Sequence, residues 1–311
     1  MDDIILSVII PTYNHEGYIR KAIDSVLMQK TQYKYEVLVG EDKSTDNTRK
    51  VLQQYEKEHP GEITVYYRDH NLSNDDLENA PDLRHRAKGK YIITLEGDDY
   101  WTSDNKIETQ VDFLENNPEY IAVSHLCKVV GEDGKPLMEE YPSCRNSEYS
   151  LKDYLCGVYP GQLATVMCRN YYISHYFDVT ILEKHLCPGD KLLYFALATN
   201  GKVKCLQQTM SAYRHVRKGG ASYSANYKYN FEEDEHWYAE LLEFASAQKK
   251  GVACVEALYL GCLIHAVKKK AILLDKAKEY GRCKLKHKGR AISLYLWRMI
   301  NIHMLHRGNA N

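Results

Sequence analysis

The sequence is poor in the features that mark special classes of chain. With 8 prolines and 18 glycines in 311 residues and no low-complexity tract, it is neither collagen-like nor a disordered polymer. No apolar run approaches the ~18 residues that a membrane-spanning helix needs. Met1-Asp2-Asp3 does not lead a basic stretch into an apolar one, so no secretory signal is read there and a cytoplasmic protein is expected. The 9 cysteines lie between Cys127 and Cys283 and never in a CxxC spacing. That argues against a disulfide framework or a structural zinc site, and for reduced thiols used as small apolar residues. A glycine-rich phosphate cradle is missing too, since there is neither a G-x-G-x-x-G after the first apolar segment nor a P-loop.

What is present is a composition able to build a core, 44% apolar and 27% charged. Its charge is unevenly placed. The formal sum is −1, yet residues 266–311 hold twelve Lys or Arg against only Asp275 and Glu279. The tail is therefore +10 and the remainder −11.

Two periods alternate along the first 130 residues. The β-branched run Ile4–Ile10 predicts a strand. Tyr18–Gln29, with Ile19, Ala22, Ile23, Val26 and Leu27 at helical spacing, predicts an amphipathic helix. Strands are predicted over Tyr35–Val39, Ile63–Tyr67 and Tyr91–Leu95, and helices over Thr45–His59 and Asp104–Asn116. Such alternation implies right-handed βαβ units and a mostly parallel central sheet. Beyond it come a strand over Tyr120–Val130, a loop over 135–160 with a short helix near Ser150–Cys156, and a strand over Leu163–Cys168. A helix over Pro188–Asn200 and two short strands, Val203–Leu206 and Met210–His215, follow. From about Asn230 the pattern is helical only, over Phe231–Lys249, Val252–Glu279 and Ala291–Leu305.

In a parallel α/β sheet, ligands bind beyond the carboxyl ends of the strands. Here strand one ends in Pro11-Thr12-Tyr13-Asn14, strand two in Glu41-Asp42 and strand four in Glu96-Gly97-Asp98-Asp99. Without a glycine cradle, phosphate bound at this rim needs its charge met another way. Mg²⁺ or Mn²⁺ on one or two carboxylates is the usual solution. Asp98-Asp99 suits it, because adjacent like charges are costly without a cation or strong donors between them. Taken alone, the same pair also reads as a solvated turn capping the next helix.

The segments together resemble family 2 glycosyltransferases. Ser7-Val8-Ile9-Ile10-Pro11-Thr12-Tyr13-Asn14 is similar to the family's opening strand, and Asp42-Lys43-Ser44-Thr45-Asp46-Asn47-Thr48 to its second-strand signature. Ala87-Lys88-Gly89-Lys90-Tyr91-Ile92 and Leu95-Glu96-Gly97-Asp98-Asp99-Tyr100-Trp101 resemble its metal-binding segment. The resemblance spans about residues 4–220. It implies a Rossmann-like GT-A domain over 1–225, with a nucleotide-binding half (1–115) and an acceptor-side half (116–225), followed by a helical, basic region over 226–311. It implies an inverting, metal-dependent transferase of the hexosyl or N-acetylhexosaminyl class. Such an enzyme would use a nucleotide-sugar, commonly a UDP-sugar, and a glycan or lipid-linked acceptor in bacterial surface polysaccharide or glycoconjugate synthesis. By the same resemblance Pro11 and Tyr13 line the base pocket, Asp42 accepts from the base, Asp98 holds ribose or helps with the Mn²⁺ or Mg²⁺, and Asp99 binds that ion. Glu96 stands where many members have aspartate. Asp190, within Cys187-Pro188-Gly189-Asp190-Lys191, is the candidate base. Its helix N-terminus lowers its pKa while burial raises it. Arg214 or His215 meets the diphosphate under a lid at Lys218-Gly219-Gly220, and Trp101 is a second aromatic candidate.

Two rivals remain at this point, a sugar-phosphate nucleotidyltransferase and a non-catalytic nucleotide-sugar scaffold. In the tail, Ile292, Tyr295, Leu296, Met299 and Ile300 recur at helical spacing among Lys284, Lys286, Lys288, Arg290 and Arg298. This predicts either a basic amphipathic helix on an anionic membrane, peripheral at its inner face, or packing against the acidic body or in a homodimer. A nucleic-acid role is not expected at a pI of about 6.9.

Overall fold

The computed structural model describes residues 4–72, 78–176, 178–182, 189–215 and 228–308. In chain order the elements are β1 (Leu6–Thr12), α1 (Ile19–Leu27), β2 (Tyr35–Glu41), α2 (Thr48–Glu58), β3 (Thr64–Tyr67), α3 (Asn79–Arg86), β4 (Tyr91–Thr94), β5 (Tyr100–Trp101), α4 (Lys106–Asn116), β6 (Tyr120–Val130), β7 (Glu148–Tyr149), α5 (Leu151–Leu155), β8 (Met167–Arg169), α6 (Tyr171–Ser174), α7 (Gly189–Asn200), β9 (Lys202–Arg214), α8 (Phe231–Gln248), α9 (Val252–Lys268), α10 (Leu274–Lys284) and α11 (Lys288–Gly308). They form two compact units. The first takes the described residues of Met1–Tyr149, Tyr159–His185 and Gly189–Asn226, and the second those of Ser150–Val158, Leu186–Pro188 and Tyr227–Asn311.

The first unit is built on one sheet in the order β3-β2-β1-β4-β8-β6-β9-β5, with β7 pairing β9. The expected parallel arrangement holds through β3-β2-β1-β4. Past β4 the sheet is mixed, because β8 runs antiparallel to both β4 and β6 while β6 and β9 are parallel. The chain winds outward from β1 to β2 and β3, then returns to place β4 on the other side of β1. That reversal is a topological switch point, and the strand ends beside it open a crevice. Alternation accounts for the packing. Val8 and Ile10 on β1, Val37 and Val39 on β2 and Ile93 on β4 pack with Ile19, Ile23 and Val26 of α1 in one buried cluster. Truncating any of the isoleucines among them to alanine would remove about 2–5 kcal/mol.

Several details depart from the periodic reading. β9 is one strand of 13 residues where two short ones were expected, and bulges against β6 carry it over the polar Gln207–Gln208 stretch. Leu163–Thr165 is a 3₁₀ turn that only then leads into β8. Helix α3 and strands β5 and β7 have too few periodic residues to be read from sequence. Trp101 is core, 1% exposed, with its indole N–H donating to the Ala164 carbonyl at 3.2 Å. The described cysteines are free thiols, five of them buried.

The second unit packs Phe231, Tyr259, Cys262, Leu263, Ala266, Ala277 and Leu285 into its own core. The long helix expected over Val252–Glu279 is two helices, α9 and α10. Glu256 of α9 is 1% exposed and accepts from the Lys286 and His287 N–H groups (2.7 and 3.0 Å), just ahead of α11. A carboxylate there meets the positive end of the helix. No helix among the described residues is long and apolar enough to cross a membrane.

Candidate active site

The switch point gathers the loops after β1, β2 and β4. The first two are stitched together by the residues that resemble the second-strand signature. Asn14, at φ 58°, donates its N–H to Ser44 Oγ (3.0 Å), and its Oδ1 accepts from Thr45 N (2.8 Å). His15 N–H donates to Thr48 Oγ1 (2.8 Å), and Asp46 accepts from Glu16 N and Thr48 N. Ser44, Asp46 and Thr48 are therefore builders of the rim.

Because Thr12 pairs with Glu41 in register, Tyr13 and Asp42 leave the sheet at the same edge. Both are at least partly buried, and Asp42 Oδ1 is aimed by the Leu72 N–H at 2.9 Å. Pro11 sits where the β1–β4 pairing has already ended, at Ile9–Thr94. Its missing N–H would face that gap, so no ladder bond is lost. The Pro11 carbonyl instead accepts from Gly97 N at 3.2 Å. Gly97 is required by close approach, since a Cβ there would stand 2.7 Å from both Thr12 Oγ1 and His15 Nδ1.

The carboxylates after β4 are adjacent but differently held. Asp99 is buried, and each of its oxygens accepts an N–H, Oδ1 from Arg214 N (2.7 Å) and Oδ2 from Gln162 Nε2 (2.8 Å). The Gln162 amide also donates to Glu96 Oε2 at 3.2 Å, so one neutral side chain bridges both acids. Asp98 is partly buried, with its Oδ2 4.0 Å from His15 Nε2. A run of contacts thus leads from Asp42, whose N–H donates to the Thr12 carbonyl (3.0 Å), through Thr12 Oγ1 and His15 Nδ1 (3.1 Å apart) to Asp98. Burial, then Asp98 and Asp190, push the Glu96 carboxyl up to about 8. Burial, then Asp98 and Glu96, raise Asp99 well above the usual carboxylate range.

Asp190 is the second residue of α7 and is partly buried. Of its two opposed influences burial wins, and its pKa is raised despite Lys191 and the backbone N–H donors. Its charge reaches Glu96, Tyr141 and Tyr194, which sets it in the same acidic neighbourhood as the end of β4.

Arg214, named above as a group for the diphosphate, is held by backbone carbonyls. It is 4% exposed, its Nε donates to the Asp98 carbonyl (2.9 Å) and its Nη1 to the Gly131 and Glu132 carbonyls (2.9 and 2.7 Å). The guanidinium also lies 4.3 Å from the centre of the Tyr18 ring. It is a strut under Asp98-Asp99, with its Nε and Nη1 donors committed to backbone carbonyls. His215 is partly buried, and its Nδ1 meets Glu139 Oε1 at 2.5 Å. The expected lid at Lys218-Gly219-Gly220, and Cys187-Pro188 ahead of Asp190, lie outside the described residues. Sequence reasoning missed His15, Gln162 and Glu139. His15 directly follows the opening motif and could have been found; Gln162 and Glu139 carry no sequence signal, because only the folded sheet brings them to the acids and to His215.

Among the described residues, no three His, Cys, Asp or Glu side chains converge as a ready metal cluster. The donor set nevertheless fits a hard divalent cation, which uses one or two carboxylates and completes its shell with phosphate and water. Burial raises Glu96 and Asp99 most, and the added repulsion among the acids is the part that such a cation relieves.

Comparison with known proteins bears on the family and the fold. An uncharacterized protein of Mycobacterium bovis is 30% identical over 214 residues, 69% of this chain and 60% of that protein. WfgD of Escherichia coli, a UDP-Glc:alpha-D-GlcNAc-diphosphoundecaprenol beta-1,3-glucosyltransferase, is 37% identical over 127 residues, 39% of this chain and 46% of its own. The chain thus spans about 60% or less of the length of these relatives. The structure of Staphylococcus aureus TarS 1–349 with UDP-GlcNAc shares the fold, with a TM-score of 0.59 at 17% identity over 98% of this chain and 92% of that one. Residues 7–162, half of the chain, match the model of glycosyl transferase family 2. By that match the chain belongs to family 2 of the glycosyltransferases.

Proposed function

We propose that the protein is an inverting glycosyltransferase that moves a sugar, of the hexosyl or N-acetylhexosaminyl class, from a UDP-sugar to an acceptor hydroxyl. The observation that carries this reading is the set of acids after β4 beside the β1 loop, with Asp98 4.0 Å from His15, Glu96 and Asp99 bridged by Gln162, and Asp190 acting on Glu96. The name of WfgD favours a UDP donor and a lipid-linked acceptor of bacterial surface glycans. Tyr13 offers a ring to the base, and Asp42, already aimed by Leu72 N–H, accepts from it. Asp98 and Asp99 would hold Mn²⁺ or Mg²⁺, whose chemistry is to stabilise charge on the departing diphosphate. Asp98 is the more open of the two, while Gln162 and the Arg214 N–H keep Asp99 in one orientation. His215, oriented by Glu139, stands one residue beyond that strut as the donor toward phosphate.

In the transfer, the Asp190 carboxylate takes the proton of the acceptor hydroxyl. The acceptor oxygen forms its bond to the anomeric carbon from the face opposite the diphosphate. The bond from that carbon to the diphosphate oxygen breaks, and its electron pair leaves with UDP. Raising the pKa of Asp190 by burial brings it nearer the working pH, where a general base is most effective. Asp190→Asn should lower UDP release from UDP-glucose or UDP-GlcNAc by ~10²–10⁴ while UDP binding by calorimetry stays unchanged. Undiminished release would overturn the assignment.

A further inference from the structure

The second unit exposes apolar side chains where its positive charge is concentrated. Leu273 and Leu274 ahead of and within α10, and Ile292, Leu296, Met299 and Ile300 on α11, are all exposed, Leu273 by 80% and Ile300 by 60%. The spacing of the last four puts them on one face of α11. The unit's own packing uses the other side of that helix, where Ala291 is wholly buried and Arg298 Nε donates to the Leu155 carbonyl at 2.7 Å. Beside the exposed face, a groove of about 830 Å³ runs between α9, α10 and the start of α11. Leu263, Leu285 and Ile292 contribute to its apolar lining; Lys268, Lys278, Arg282 and Lys288 also line it, and among the described residues no Asp or Glu does. Asp275 holds Lys278 at 3.0 Å, whereas Lys268, Arg282 and Lys288 meet no carboxylate among the described residues.

An apolar floor beneath several cations complements a surface that presents hydrocarbon beneath phosphate. Protein interfaces instead deplete charge at their centre, and a second copy using this face would set one +10 tail against another. We propose that this face of the second unit docks on an anionic phospholipid bilayer, its apolar side chains entering the acyl boundary and its cations meeting lipid phosphates. The proposal goes beyond the transferase reading and stands or falls without it.

The test is co-sedimentation of the full chain with vesicles of phosphatidylcholine alone or mixed with phosphatidylglycerol. Binding is expected only to the mixed vesicles. Each cation near an anionic surface contributes roughly five-fold to partitioning. Lys268→Gln/Arg282→Gln/Lys288→Gln should therefore weaken binding on the order of 100-fold, and Ile292→Ser/Leu296→Ser/Ile300→Ser should abolish retention. All six positions are exposed, so circular dichroism and thermal midpoint should match the parent. Equal binding to both vesicle types, no binding to either, or parental binding by either variant overturns the proposal. So does light scattering that shows a dimer which the apolar variant turns into a monomer.

Discussion

At the residue scale, one position can be wholly readable in type and opaque in behaviour. Glu96, Asp98 and Asp99 stand in sequence as three acids after a strand, yet only their surroundings make them differ. Gln162 and the Arg214 N–H take up Asp99, while the charges of Asp98 and Asp190 act on Glu96. The consequence for stability can be measured. Glu96 is pushed from an ordinary 4.5 up to about 8 in the folded chain. Between those values the folded state keeps a proton that the unfolded state has released. The stability contributed by the neutral acid is thus full below about 4.5 and is lost as pH rises through about 8. With metal chelated, the thermal midpoint of the parent should fall across that window relative to Glu96→Gln, whose amide cannot ionise. Parallel curves for the two proteins would refute it. Lys106 gives the same lesson in reverse. A lysine on a polar-looking helix turn is expected in water, but it is fully buried, bonded to Gln110 Oε1 at 2.6 Å and set 4.1 Å from the Trp101 ring centre.

At the element scale, periodic segments were legible and their ends less so. Helices α1, α2 and α4 fall where their apolar spacing puts them, because each needs one stripe to bury against the sheet. The break between α9 and α10 carries no glycine or proline, so nothing in Lys268-Lys269-Lys270-Ala271 marks it. The backbone stops the helix with Lys270 in the left-handed region, φ 59°, where Ala271 N donates to Ala266 O (2.9 Å) and Lys270 N to Val267 O (3.0 Å). Lys249, φ 55°, ends α8 the same way. Glycine adopts that conformation without a Cβ penalty. Lys249→Gly and Lys270→Gly should each raise the urea midpoint by an amount equivalent to about 0.5–1 kcal/mol. A lowered midpoint would mean that these lysines contribute side-chain contacts worth more than the strain.

At the scale of the whole molecule, a divalent cation bound with a diphosphate would relieve the like charges gathered after β4. UDP with Mn²⁺ should raise the thermal midpoint more than either alone. At a hundred times the dissociation constant the gain is about 2.7 kcal/mol, or roughly 5–10 °C for a unit of this size. Equal shifts with and without the metal would argue against a carboxylate-held cation. What the sequence determined by itself was local and additive: alternating apolar periods, short polar signatures at strand ends, and a basic tail. Those suffice for an α/β fold and for the family, because each is written within a few residues. Tertiary structure alone decided that β4 returns beside β1, that Gln162 bridges two acids, that Arg214 is a strut, and that α11 leaves its apolar face uncovered. Each of these joins residues tens of positions apart, and such pairings become definite only when the sheet order brings their strands and loops together.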